Sequence, residues 1–254
     1  MPEKTLGLAL GGGAVLGAAH IGVLQALDDW GVEVTHLAGT SMGALVASLY
    51  ASGLSGQEIE SLSEGLRWPE LAGFFPSRLG LFSTDRMRGF ISRHTGGAGI
   101  HELDVPLALL ATDISSGEKV VMTHGDLASA ACASACVPGL FVPVEREGRL
   151  LVDGGLLENL PLSPLLSWGV DRIVGVDVHL GRTFHRPRSL PELLGNALDI
   201  ALGNAAREKR DQVDVLVTPD TSSWSRGEME DFPALIREGR RAALESRERI
   251  LRQG

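Results

Sequence analysis

The sequence predicts an α/β fold, a three-layer α/β/α sandwich with a mainly parallel central sheet, and three observations carry that reading. Short apolar runs of strand length alternate with helical stretches along most of the 254 residues. Glycine is abundant, 32 residues against a usual share of about 7%, and its clusters fall just after apolar runs. Apolar residues make up 44% and charged residues 22%, enough to build a core, and no repeat, low-complexity tract or linker divides the chain. A single domain over 1–254 is expected, with its core at about 5–180 and a C-terminal strand and helices at 190–252.

Residues 5–10 read as the first strand, ending in Gly11-Gly12-Gly13. Helical spacing follows over 18–30, with Ile21, Leu24 and Leu27 along one stripe and Gly31 as the stop. A second strand is expected at 34–38 and a small-residue helix at 42–52, closed by Gly53. Residues 54–99 show no regular period. Strand-like runs recur at 106–112 and 119–123, then a helix at 127–135. Two short strands, 141–144 and 149–152, flank Glu-Arg-Glu-Gly as a hairpin. A proline-opened helix at 161–168 precedes a nearly continuous apolar strand at 172–178, the pattern of a strand buried on both faces. A polar loop at 181–189, a helix at 191–210, a last strand at 213–218 and a charged amphipathic helix at 232–252 complete the chain.

The formal charge is −9, from 23 Lys and Arg against 32 Asp and Glu, with no long basic run. That argues against nucleic acid as a partner and against simple electrostatic docking on anionic lipid. Cys132 and Cys136, the only cysteines, lie four apart in a small-residue segment and read as buried thiols, since further metal ligands are absent nearby. The apolar stretch 6–27 lacks Lys and Arg but carries six glycines, so it reads as strand, loop and helix rather than as a leader or a span. A cytoplasmic location is expected, with peripheral membrane contact open; the oligomeric state is not legible.

Three local signals each follow an expected strand, and sites in open α/β sheets assemble at strand carboxyl ends. Gly39-Thr-Ser41-Met-Gly43 sits between a strand and a helix, where a serine can occupy a tight elbow with its hydroxyl projecting from the sheet. The bland reading is a helix N-cap serine. Gly11, Gly12 and Gly13, with Gly17 opening the next helix, could turn backbone N–H groups toward an oxyanion. A dinucleotide-binding turn competes for those glycines, with Glu33 as its ribose acid, although Leu16 stands where its third glycine should fall. Asp153-Gly154-Gly155 ends an apolar strand; alone it is a turn former, but among Leu151, Val152, Leu156 and Leu157 a desolvated carboxylate could gain basicity. His179 and His185 follow Asp153 in the order of an α/β-hydrolase triad, yet Ser41 comes after only two strands, so a Ser–Asp dyad is the better fit.

With these motifs in place, the chain resembles the bacterial patatin-like phospholipases. Leu8-Ala-Leu-Gly-Gly-Gly with Gly17-Ala-Ala-His20-Ile-Gly-Val-Leu24 is similar to the family's oxyanion segment, Gly39–Gly43 to its nucleophile motif, residues 133–144 to a further stretch, and Asp153-Gly154-Gly155 to its aspartate motif. The likeness covers about residues 5–180. It implies a patatin-like fold and a serine lipid acyl hydrolase that needs no metal or cofactor. Ser41 would be the nucleophile, Asp153 the base and the Gly11–Gly13 backbone the oxyanion donor. One departure is Leu16, where the family often has arginine. Phe74, Phe75 and Phe82, in the apolar segment 71–82, are the expected acyl-chain contacts or interfacial lid, and the arginines of 182–188 could meet a phosphate head group. The substrate would be a phospholipid or other acyl ester. Two other classes stay open: a nucleotide-binding oxidoreductase and a lipid-binding regulator without catalysis.

Overall fold

The computed structural model describes residues 4–180, 186–207, 210–224 and 227–252. The chain begins with β1 (Leu6–Leu10), a 3-10 turn (Ala14–Ala18) and α1 (Ala19–Asp29). Next come β2 (His36–Thr40) and α2 (Met42–Ala51). The stretch without a period contains α3 (Gly56–Ser63), α4 (Trp68–Leu71), a two-strand ribbon of β3 (Gly73–Phe74) and β4 (Phe82–Ser83), and α5 (Asp85–His94). A capping box starts α3: Ser55 Oγ accepts from the Glu58 amide while Glu58 reaches back to the Ser55 amide. That pair was a readable signal, and the expectation of an irregular stretch is corrected by it.

The second half carries β5 (Leu107–Asp113), β6 (Glu118–Met122), α6 (Leu127–Ser134), β7 (Val144–Arg146) and β8 (Arg149–Asp153). Then follow α7 (Gly155–Glu158), α8 (Ser163–Trp168), β9 (Arg172–Val176), α9 (Leu190–Arg207) and β10 (Val215–Val217). The terminal helix expected at 232–252 breaks at Ser246 into α10 (Phe232–Glu245) and α11 (Arg247–Leu251). The hairpin is also tighter than expected. Positive φ at Glu147 (51°) and Gly148 (73°) makes a two-residue turn, so β7 runs on through Arg146.

The sheet order is β10-β9-β1-β2-β5-β8-β7, with β6 also on β5. The five strands from β10 to β5 are parallel, and β6, β7 and β8 are antiparallel to their neighbours. Alternate residues of the central strands serve two cores. Leu8, Leu10 and Leu37 join the large cluster beneath α1, α2, α6 and α10, while Ala9 and Ala38 join a smaller one with Leu160, Leu162 and Leu165 on the α8 side.

One register positions the site. The β5–β6 hairpin pairs along the whole of Leu109–Asp113 and so occupies one edge of β5. Both β2 and β8 must therefore take the other edge, where they run head-on: Thr40 lies opposite Leu110, and Asp153 opposite Ala111. The carboxyl ends of two strands remote in sequence meet end to end, so Asp153 reaches the site by an antiparallel register rather than along the parallel strands.

Candidate active site

Ser41 occupies the junction between β2 and α2 with φ 54° and ψ −124°, a conformation L-residues rarely hold and one that costs of order 1–3 kcal/mol. The flanking glycines allow it. A Cβ on Gly39 would lie 2.6 Å from the Cα of Ala44, and one on Gly43 would lie 2.1 Å from the Leu10 carbonyl oxygen. The Ser41 amide donates to Ser134 Oγ (2.9 Å), and that hydroxyl donates to the Leu110 carbonyl, so α6 braces the elbow across 93 residues. Ser134 carried no role in the sequence reading. Its signals are its place in the small-residue segment around the cysteines and in the family-like stretch 133–144.

Asp153 is buried, and its Oδ2 accepts the Ser41 hydroxyl at 2.6 Å. Its Oδ1 accepts the Gly155 amide at 2.8 Å, which fixes the plane of the carboxylate. Gly154 lets the chain turn against β5, since a Cβ there would sit 2.2 Å from the Leu110 oxygen. The serine hydroxyl thus donates to a carboxylate, not to a histidine. His179 lies nearby, hydrogen-bonded through Nδ1 to Asn159 (3.3 Å); His185 falls outside the described residues, as do 181–185 of the arginine-bearing loop.

The glycine turn lies beside this pair but divides its amides differently from expectation. Gly11 N–H donates to Val176 O (3.1 Å), completing the ladder to β9, and Gly12 N–H donates to Asn159 O (3.1 Å). Neither is free to meet an oxyanion. Gly13 and Ala14, the latter at φ 49°, have amides with no acceptor among the described residues. Gly12 matters for its missing side chain instead: a Cβ there would lie 3.0 Å from the Ser41 Cβ and 2.5 Å from Asn159 Oδ1. Asn159 is a second residue the sequence did not single out. It holds Gly12 through its carbonyl and its Nδ2 (3.4 Å to Gly12 O), and its Oδ1 is buried without a partner among the described residues.

His20, fully buried in α1, bonds through Nε2 to Gly11 O at 2.7 Å. The acceptor is a carbonyl, so Nε2 carries the proton. Burial lowers its pKa from 6.5 to about 4, against the opposing effect of the Gly11 bond. The fold therefore excludes a proton that the unfolded chain takes up. Stability from this group is complete above pH 6.5 and declines as pH falls to about 4, by about 3 kcal/mol in all. In urea titrations at pH 7 and pH 4.5, His20→Gln should be less stable than the parent at pH 7 but lose less on acidification. Parallel losses would contradict the assignment.

Phe74 and Phe75 lie at the surface. They are 75% and 59% exposed on the β3–β4 ribbon, while Phe82 packs on Phe74 and Phe141. An apolar cavity of about 50 Å³ lies behind α2, lined by Met42, Leu45, Leu49, Ile59, Leu71 and Phe232 among others. Their exposure makes Phe74 and Phe75 a surface feature of the β3–β4 ribbon. Cys132 and Cys136 are buried, and desolvation pushes both thiols up to about 12, which suits their reading as small apolar side chains.

Fold and site together define an α/β protein with a strained elbow serine hydrogen-bonded to a strand-end aspartate. The chain belongs to the patatin-like phospholipase family, whose profile it matches over residues 8–166. An uncharacterised NTE-family protein of Mycobacterium tuberculosis is 34% identical over 181 residues, covering 68% of this chain and 48% of that one. The lysophospholipase NTE1 of Mycosarcoma maydis is 33% identical over 186 residues, covering 68% of this chain and 10% of that one. The chain thus spans about half the length of its mycobacterial relatives and a small part of the fungal one. VipD from Legionella pneumophila shares the fold, with a TM-score of 0.66 at 16% identity over 96% of this chain and 66% of that one. So does the type III effector protein ExoU, with a TM-score of 0.56 at 16% identity over 99% and 54% of the two chains.

The dinucleotide reading is overturned by the same geometry. Leu16 is fully buried in the core, and Glu33 precedes β2, so it sits at the opposite end of the parallel strands from the glycine turn. No described helix is long and apolar enough to cross a membrane.

Proposed function

We propose that this chain hydrolyses carboxylic esters of phospholipids or other acyl lipids through Ser41 and Asp153. The observation that carries the proposal is the 2.6 Å bond from Ser41 Oγ to Asp153 Oδ2 at a strained elbow. In the reaction Ser41 gives its proton to Asp153 as its oxygen attacks the ester carbonyl. The new oxyanion is met by amides of the glycine turn, among which Gly13 and Ala14 have donors to spare, and by the positive end of α2. Collapse expels the alcohol, which takes the proton back from Asp153. Asp153 then draws a proton from water, the resulting hydroxyl attacks the acyl-serine, and Asp153 returns that proton to Ser41 Oγ as the fatty acid leaves. Met42, the residue after the nucleophile, lines the apolar cavity of about 50 Å³ behind α2. Family membership and the fungal lysophospholipase support lipid esters as the substrate class.

The test is covalent. A fluorophosphonate should add one phosphonyl group per chain, located to Ser41 by mass spectrometry and absent from Ser41→Ala. An intact protein with no adduct, or with the adduct on another serine, would refute the assignment and favour a lipid-binding protein without turnover.

A further inference from the structure

Helix α9 is amphipathic in the unusual sense. Its inward face carries Asn196, Asp199 and Leu202, of which Asp199 and Leu202 are buried. Its outward face carries Leu190 (67% exposed), Leu193 (51%), Leu194 (60%) and Ile200 (49%), with Ala197 and Ala201 exposed between them. At 100° per residue these six outward positions fall within one arc of roughly 120°, in which exposed Asn204 is the polar exception. A helix that only had to cover this protein would not leave three leucines and an isoleucine outward while burying Asp199. The outward stripe therefore answers to something beyond the chain.

The charge around the helix says what. Residues 181–210 hold six Lys or Arg against three Asp or Glu, in a chain whose formal charge is −9, and one of the six, Arg210, is paired with Asp177. Arg186 and Arg188 are exposed immediately before the helix. The helix start is itself well made, with Ser189 Oγ accepting from the Glu192 amide and Glu192 reaching the Arg188 amide. Arg207 ends the helix, and Lys209 follows it in sequence. Two copies packed through this stripe, parallel or antiparallel, would bring like charges together. An anionic surface meets both ends favourably.

We propose that α9 is an interfacial helix that lays its leucine face on an anionic phospholipid bilayer. For its purpose this rests on the hydrolase reading, because docking there brings the lipid to Ser41. The link is short: Leu202, on the inward face, comes within 2.5 Å of where a Cβ of Gly155 would be, two residues after Asp153. Only the thickness of one helix, about 10–12 Å, then separates the docked face from the elements that carry the chemistry.

The binding test removes turnover by using Ser41→Ala protein with sedimented vesicles of mixed phosphatidylglycerol and phosphatidylcholine. Leu193→Gln/Leu194→Gln should lower partitioning by about tenfold or more, since Gln keeps helix propensity while deleting apolar surface. Arg186→Gln/Arg188→Gln should lower it several-fold, as should added salt or pure phosphatidylcholine. In the protein with Ser41 intact, both double variants should hydrolyse a soluble short-chain ester within about twofold of the parent. Equal partitioning by parent and leucine variant overturns the proposal. So does absence of parent binding, including the case in which light scattering finds a dimer that the leucine variant dissolves. If partitioning behaves as expected while soluble-ester hydrolysis is absent from the parent, the hydrolase reading fails and the docking assignment stands.

Discussion

Replacing Asp153 with Asn lowers ester hydrolysis by about 10²–10⁴-fold, the range expected for loss of a general base, while leaving the protein folded. The two outcomes have separate causes. Asn keeps the volume of the side chain and can keep the Gly155 amide bond through its Oδ1, so β8 and the turn after it retain their geometry. Its Nδ2 then faces Ser41 Oγ at the position Oδ2 now holds, 2.6 Å away, and donates where the carboxylate accepted. The direction of that hydrogen bond reverses, and the serine proton has no receiver. Asp153 is also 3% exposed, and a buried carboxylate carries a desolvation cost that an amide escapes. Thermal unfolding of the variant should therefore match the parent or lie above it, the usual exchange of stability for activity at a site. A variant that keeps more than about a tenth of parental turnover on a soluble ester would show that another group accepts the proton.

The residues of that pair were legible because their motifs are statements about backbone. Gly39 and Gly43 announce that something at Ser41 must approach its neighbours closely, and the clashes a Cβ would make there, with Ala44 and Leu10, are the physical content of the signal. Strand–helix alternation likewise gave the sheet, because β1, β2, β5 and β9 are buried runs whose letters do not depend on distant partners. What stayed hidden depends on distant partners. The Gly12 amide is engaged by Asn159, 147 residues away, and the Ser41 amide by Ser134, 93 away, so no local pattern could tell donors in use from donors to spare. The head-on meeting of β2 and β8 on one edge of β5 follows only from three pairings taken together. Residues 54–99 failed for another cause: their helices are short, and α4 and the β3–β4 ribbon are too brief to establish any period.

Gly239→Ala should be more damaging than its chemistry suggests, costing about 2 kcal/mol or more of stability. Two effects oppose each other. Ala in place of Gly in a helix interior favours the helix by about 1 kcal/mol, and Gly239 lies within α10. Against that, the added Cβ would stand 1.8 Å from the Ala19 carbonyl oxygen of α1, and a Cβ on Gly22 would stand equally close to the Ile236 oxygen of α10. The helices touch backbone to backbone at two reciprocal glycines, so no side chain can rotate away and one helix must move. Overpacking of this kind typically costs about 1–3 kcal/mol and more when the neighbour is rigid, which outweighs the gain in propensity. The displacement would also reach the site, because α1 carries His20, whose ring bonds Gly11 O at the start of the glycine turn. Chemical unfolding should show the loss, and hydrolysis should fall along with it although residue 239 touches neither Ser41 nor Asp153. Gly89→Ala in α5, where a Cβ meets nothing within 4 Å, is the matched control and should stabilise by up to about 1 kcal/mol. If Gly239→Ala also stabilises, the close crossing of α1 and α10 is wrong, and with it the anchoring of the glycine turn.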